Sequence, residues 1–215
     1  MRGLLTKDIR FILGQKRYLL VMLFVVVIFA LQGQQAGIGY MIILTGMLTI
    51  MTISYDEYNN GNAFLFTMPI SRRGYVLEKY ALGIGLGAVS CLVVTVFTIA
   101  FGQLRQVQID IGEYAAVSVS LFLGMQLMLA LMLPLMFQLG AERGRIAFSV
   151  IIIVFVMMMI GIGSAAMGSA IWTQNLAWLA DIGPVQLVGA IALAVGICMC
   201  VSTLISVRIM QKKQF

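Results

Sequence analysis

SYDEYNNGNAFLFTMPISRRGYVLEKY, residues Ser54 to Tyr80, is the one long polar stretch in a chain otherwise written for a hydrocarbon solvent. Of the 215 residues 61% are hydrophobic and 10% charged, and the mean hydropathy is +1.03, a composition that describes an integral membrane protein. A helix needs about 20 apolar residues to cross a ~30 Å core. On that measure the chain outside the polar stretch holds six transmembrane helices, with cores at Tyr18 to Leu31, Ala36 to Ile53, Ala81 to Gly102, Tyr114 to Leu139, Ile146 to Ala166 and Val185 to Val207. The expected fold class is all-α integral membrane. The first core is short, so it is expected to recruit flanking residues or to tilt little.

Basic residues beside membrane helices are retained in the cytoplasm, so their placement sets orientation. Arg2, Lys7, Arg10, Lys16 and Arg17 precede the first core; Arg72, Arg73 and Lys79 lie between the second and third; Arg143 and Arg145 lie between the fourth and fifth; Arg208, Lys212 and Lys213 end the chain. Only Arg105 falls on the other side. Both termini are therefore expected in the cytoplasm, which requires an even number of spans. Topology and anionic lipid account for the net charge of +6, and nucleic acid is not needed as a partner. In residues 1–17, Leu5, Ile9, Ile12 and Leu13 share one helical face, and Lys7, Arg10, Gly14 and Arg17 another. That pattern suits a helix lying in the membrane interface, although a plain basic flank would satisfy the orientation rule too. A cleavable signal is disfavoured, because LFVVVIFALQGQQ offers no small-residue cleavage site.

The absent residue types narrow the chemistry. The chain has no histidine, which removes Ser-His dyads, His-ligated zinc and histidine proton relays. GIGSA at 161–165 has the look of an intramembrane serine protease turn, but Ser164 has no base, and a small-residue packing face explains the segment. Cys91, Cys198 and Cys200 form no metal pattern, and the 16 methionines read as packing residues. The acidic residues, Asp8, Asp56, Glu57, Glu78, Asp110, Glu113, Glu142 and Asp181, all fall in loops or at helix ends, so coupling to a transmembrane proton flow is not expected. Gln126, Pro134 and Gln138 are the notable polar or helix-breaking residues of the fourth core; they are candidate pathway residues, or mark a kink. No phosphate-binding G-x-x-x-x-G-K-[ST] loop occurs, so energy for uphill transport has to come from another subunit. No catalytic residue and no metal ligand is assigned.

Within the polar stretch, Ser54 and Glu57 have capping-box spacing, with Asp56 adding favourable charge, which predicts a short helix starting there and running to about Thr67. Pro69 biases Met68 away from helical geometry, and Ser71 is placed to cap a new helix continuing through Arg72, Arg73 and Lys79. The apolar run Ala63, Phe64, Leu65, Phe66 and Met68 can pack partly on the membrane domain and partly on a partner, or lie on the bilayer surface.

The order of this stretch (acidic pair, aromatic and aliphatic cluster, Pro, aliphatic, Ser, basic, basic) resembles the first cytoplasmic loop of small ABC-2 type permeases. These are the membrane subunits of bacterial ATP-driven exporters, including those similar to phenol-soluble-modulin and antimicrobial-peptide exporter permeases. The opening MRGLLTKDIRFI resembles their start. The resemblance implies one permease domain over 1–215, with an interfacial helix at 1–17, a coupling loop at 54–79 and an extracellular loop at 167–184. The coupling helix, between spans two and three, would seat in a separate cytoplasmic ATPase through Asp56, Glu57, Phe64, Phe66, Pro69, Ser71, Arg72 and Arg73, with Arg143 in a minor contact. NNGN at 59–62 departs from the family by placing poor helix formers there. The further implications are ATP and Mg bound by the partner, no cofactor in this chain, a second permease copy forming a homo- or heterodimer, and a bacterial plasma-membrane location. Trp172 and Trp178 read as an interfacial belt. The alternative is the substrate-binding membrane subunit of a vitamin importer, against which stand the bulky first span VMLFVVVIFAL and the long second cytoplasmic loop.

Overall fold

A computed structural model describes residues 2–31, 36–58, 67, 70–104, 110–166 and 184–213. They form seven helices and no strand: α1 (Arg2–Gly14), α2 (Lys16–Leu31), α3 (Ala36–Tyr58), α4 (Arg72–Leu104), α5 (Ile111–Leu139), α6 (Ala141–Ala166) and α7 (Pro184–Lys212). Each of the six apolar cores falls within one helix, α2 to α7. Among the described residues four segments are long and apolar enough to cross a membrane, Gly37–Tyr58, Arg72–Leu104, Ile111–Leu139 and Val188–Lys212; Gly3–Gly14 and Lys16–Phe29, bent by 68°, make a fifth if taken as one span.

That bend turns α1 away from α2. The stripe α1 buries is Leu4, Asp8 and Ile12, spaced by four, whereas Leu5, Ile9 and Leu13 are exposed. Of the apolar face read from the sequence, Leu5, Ile9 and Leu13 thus point outward and only Ile12 inward, and an acidic residue sits in the middle of the inward stripe. At about 1.5 Å per residue, the part of α4 before Ala81 is a polar overhang of about 13 Å.

α5 is the hub, packed against α3, α4, α6 and α7, while α1 and α2 pack on α3 and α4. The core between them is Ile38, Ile42, Tyr75, Val76, Leu129, Leu133 and Met136. Outward-facing Leu23, Phe24, Leu92, Val96, Leu193 and Leu204 are exposed, the inverse of a water-soluble surface. Pro134 lies inside α5 and has no N–H to return to the carbonyl of Ala130. Ser202 of α7 fills that gap by donating to the Ala130 oxygen. Tyr80 of α4 meets Ser202 Oγ at 2.6 Å and Ser206 Oγ at 2.9 Å, so one buried hydroxyl chain sets the register of α4, α5 and α7.

Two capping expectations part ways. Ser71 caps α4 as expected, its Oγ accepting from Gly74 N at 3.0 Å. The Ser54–Glu57 capping box does not form: both residues lie in the last turns of α3, and Ser54 Oγ donates back to Ile50 O at 3.0 Å. A serine hydroxyl bonded one turn back leaves the helix uninterrupted, so α3 runs on to Tyr58. Residues 59–66 of the expected continuation, and the loop bearing Trp172, Trp178 and Asp181, lie outside the described residues, and Thr67 is in a turn.

Candidate functional site

The N-terminal helix, the end of α3, the start of α4, the α5–α6 corner and the end of α7 meet at one end of the bundle. The charged residues there hold one another. Lys79 is fully buried, and Asp8, Glu78 and Asp56 are 1%, 2% and 4% exposed. Lys79 Nζ contacts Asp8, lies 3.0 Å from Asp56 Oδ2 and donates to Thr52 Oγ1 at 3.1 Å. Lys7 Nζ bridges Asp56 at 2.5 Å and Asp8 at 3.2 Å, and Tyr75 donates to Asp56 at 3.1 Å. The Lys79 ammonium also sits 5.2 Å from the centre of the Tyr75 ring. Burial pulls the Lys7 pKa down, but the hydrogen bond and charge of Asp56, with the charge of Asp8, outweigh it and hold the amine above its ordinary value. Such a knot adds little net stability over an apolar core, yet breaking one member is costly, so it fixes how α1, α3 and α4 meet.

Helix ends supply the remaining partners. Glu57, at the end of α3, accepts from the first amide of α6, Ala141 N, placing a carboxylate at a helix N-terminus. Gly140 makes this approach feasible: it turns between α5 and α6 with φ 91°, and a Cβ there would collide with the Glu57 carboxylate. Arg72 does the converse for α7, its Nη1 donating to the carbonyls of Lys213 (2.7 Å), Gln211 (2.9 Å) and Met210 (3.3 Å). Lys213 Nζ donates to Phe137 O in the last turn of α5 at 3.1 Å. Helix termini leave four groups unsatisfied each, and here side chains from other helices take several of them.

The residues expected at a partner interface therefore divide. Asp56, Glu57 and Arg72 are engaged within the chain; Ser71 is exposed but capping; Arg73 and Arg143 are exposed; Phe64, Phe66 and Pro69 lie outside the described residues. Between α1, the end of α3 and the start of α6 opens a cleft of about 610 Å³, lined by Phe11, Tyr55, Glu57, Tyr58, Glu142 and Arg145. Tyr58 at its rim is 90% exposed, and Tyr55 rests on Phe11 with ring centres 4.5 Å apart.

The three candidate pathway residues are not brought together. Gln126 is buried between α5 and α4, where a Cβ on Gly87 would come within 3.1 Å of its Nε2. Pro134 is half-buried and Gln138 exposed near the corner. Neither amide atom of Gln126 has a hydrogen-bond partner among the described residues, and Thr49 Oγ1, against Gly83 one turn away, is in the same condition. The sequence reading missed Asp8, Glu78, Lys79 and Tyr80 as interacting groups. The available signal was the spacing of Leu4, Asp8 and Ile12, and of Tyr75, Lys79 and Leu82, which puts charged residues on inward stripes.

No curated protein and no solved structure matches this chain. The family model described as ABC-2 family transporter protein matches residues 3–211, almost the whole chain, in agreement with the likeness carried by the Ser54–Tyr80 stretch. The chain therefore belongs to the ABC-2 family of transporter proteins.

Proposed function

We propose that this chain is the permease subunit of an ATP-driven exporter, with six spans formed by α2 to α7 and α1 lying in the cytoplasmic interface. The basic end of the bundle, with both termini, then faces the cytoplasm of a bacterial cell. The segment between α3 and α4 carries the coupling helix, which docks on a separate ATPase holding ATP and Mg. Two permease copies, alike or different, enclose a path for a hydrophobic or amphipathic peptide, lipid or drug. This chain performs no ATP chemistry.

The observation that carries this reading is the buried knot of Lys7, Asp8, Asp56 and Lys79. It ties the two ends that flank residues 59–71 to each other and to α1. A load applied to that segment by a partner would reach three helices as one rigid piece, as transmission between discrete packings requires. Glu57 extends the tie to α6, and Arg72 to α7.

The test is copurification of an ATPase with the tagged permease from native membranes in mild detergent. Wild type should bring an ATPase down, and Arg73→Glu/Arg143→Glu should lose it while remaining folded. Both side chains are exposed, whereas Arg72→Glu would also uncap α7. Absence of any ATPase from the wild-type preparation would remove the proposal's main support.

A further inference from the structure

Five ionisable side chains meet where α1, α3 and α4 join: Lys7 and Asp8 from α1, Asp56 from α3, and Glu78 and Lys79 from α4. Three carboxylates against two ammonium groups leave one negative charge over. The aspartates are served: Asp8 by Lys79 and Lys7, Asp56 by Lys7, Lys79 and the Tyr75 hydroxyl. Glu78 is not. Both its carboxyl oxygens are buried without a hydrogen-bond partner among the described residues, and its nearest cation, Lys79 Nζ, is 3.8 Å away. An ammonium has three N–H groups, and those of Lys79 are taken by Asp8, Asp56 and Thr52. An ionised carboxylate that is buried, unpaired and unsolvated is the costliest arrangement available to such a group, and it is relieved by taking up a proton.

We propose that Glu78 is a proton-binding site, its carboxyl carrying a proton at neutral pH beside the ion pairs of Lys7, Asp8, Asp56 and Lys79. The proton brings the knot to electrical neutrality and turns Glu78 from an acceptor without donors into a donor toward Asp8, the carboxylate facing it. A metal ion does not fit the same place. The three carboxylates are not grouped so as to hold an ion, no such group of three occurring among the described residues, and the Lys79 ammonium lies among them. The groups facing Glu78 are Lys7 and Asp8 on α1 and Lys79 on its own helix, with Tyr75 one turn back; Asp56 on α3 is joined to them through Lys79 and the Tyr75 hydroxyl. Lys7, the part-exposed member, marks the side from which a proton enters. Loss of the proton places an uncompensated charge at the junction that flanks residues 59–71, so rising pH loosens this joint, opposite to the behaviour of a carboxylate held in a simple ion pair.

The test is infrared difference spectroscopy of the purified permease in lipid nanodiscs, following the C=O stretch of a protonated carboxylic acid through a pH step. Wild type should show this signal at neutral pH and lose it as pH is raised, and Glu78→Gln should lack it throughout. Asp8→Asn removes one competing negative charge, so the pH at which the signal disappears should move down. A wild-type protein without the signal at neutral pH, or a folded Glu78→Gln that keeps it, overturns the proposal. Should Glu78→Gln not fold, Asp8→Asn decides: a lowered loss pH supports the site, and an unchanged one refutes it.

Discussion

Lys79→Met tests the buried knot most directly. Among the described residues Lys79 Nζ is the only ammonium that touches both aspartates from a fully buried position, and the methionine that replaces it is similar in length. Without it the cluster carries one further uncompensated negative charge, which the protein must either tolerate in the interior or cancel by protonating a carboxylate. Removing one partner of a buried ion pair typically costs about 3–5 kcal/mol. Protonation sets a ceiling: bringing an ordinary aspartate to its acid form costs about 4 kcal/mol at pH 7 and about 1.5 kcal/mol at pH 5, at 1.36 kcal/mol per pH unit. Lys79→Met should therefore destabilise the permease by about 4 kcal/mol at pH 7, with more than half of that charge penalty removed at pH 5. The assay is denaturant unfolding in mixed micelles at both pH values. Lys79→Met/Asp8→Asn, which restores the charge balance, should regain stability at pH 7 and lose the pH dependence. A loss below about 1 kcal/mol at pH 7, or a loss equal at both pH values, refutes the charge-balance argument.

Ser202→Ala should cost about 1–3 kcal/mol by orphaning the Ala130 carbonyl, and adding Pro134→Ala should recover most of it, because an N–H again faces that carbonyl; unfolding of the two variants makes the comparison. Gly140→Ala should destabilise by more than about 1 kcal/mol, since an alanine resists the positive φ and its methyl meets the Glu57 carboxylate, seen as a lower melting temperature in detergent. The Lys7 pKa is raised on folding, so its stabilising share is complete below the ordinary lysine value of about 10.4 and is lost as pH rises through the folded value; Lys7→Met should flatten that alkaline part of the stability profile. Gln126→Met should be neutral or stabilising, because it removes two buried polar atoms without partners; a folded variant that no longer transports would place Gln126 on the substrate path.

The amino-acid sequence alone determined where the long apolar helices run. Crossing a hydrocarbon core requires long apolar runs whatever surrounds them, so Ala36 to Ile53 or Tyr114 to Leu139 declare helices without any knowledge of neighbours. The Ser71 cap was legible for the same reason, since a cap acts on an amide three residues away. Local reading went astray at Ser54 and Glu57, where capping-box spacing lost to helix continuation and Glu57 found its amide on Ala141, distant in sequence. Only the tertiary structure decided that Asp8, Asp56, Glu78 and Lys79 are interior residues. Hydropathy averages over a window and records a charge at a helix end as exposed. Whether it is exposed depends on which helix lies across from it, and that is settled by a bend at Gln15, an overhang at the start of α4 and a fold that folds α1 back over both.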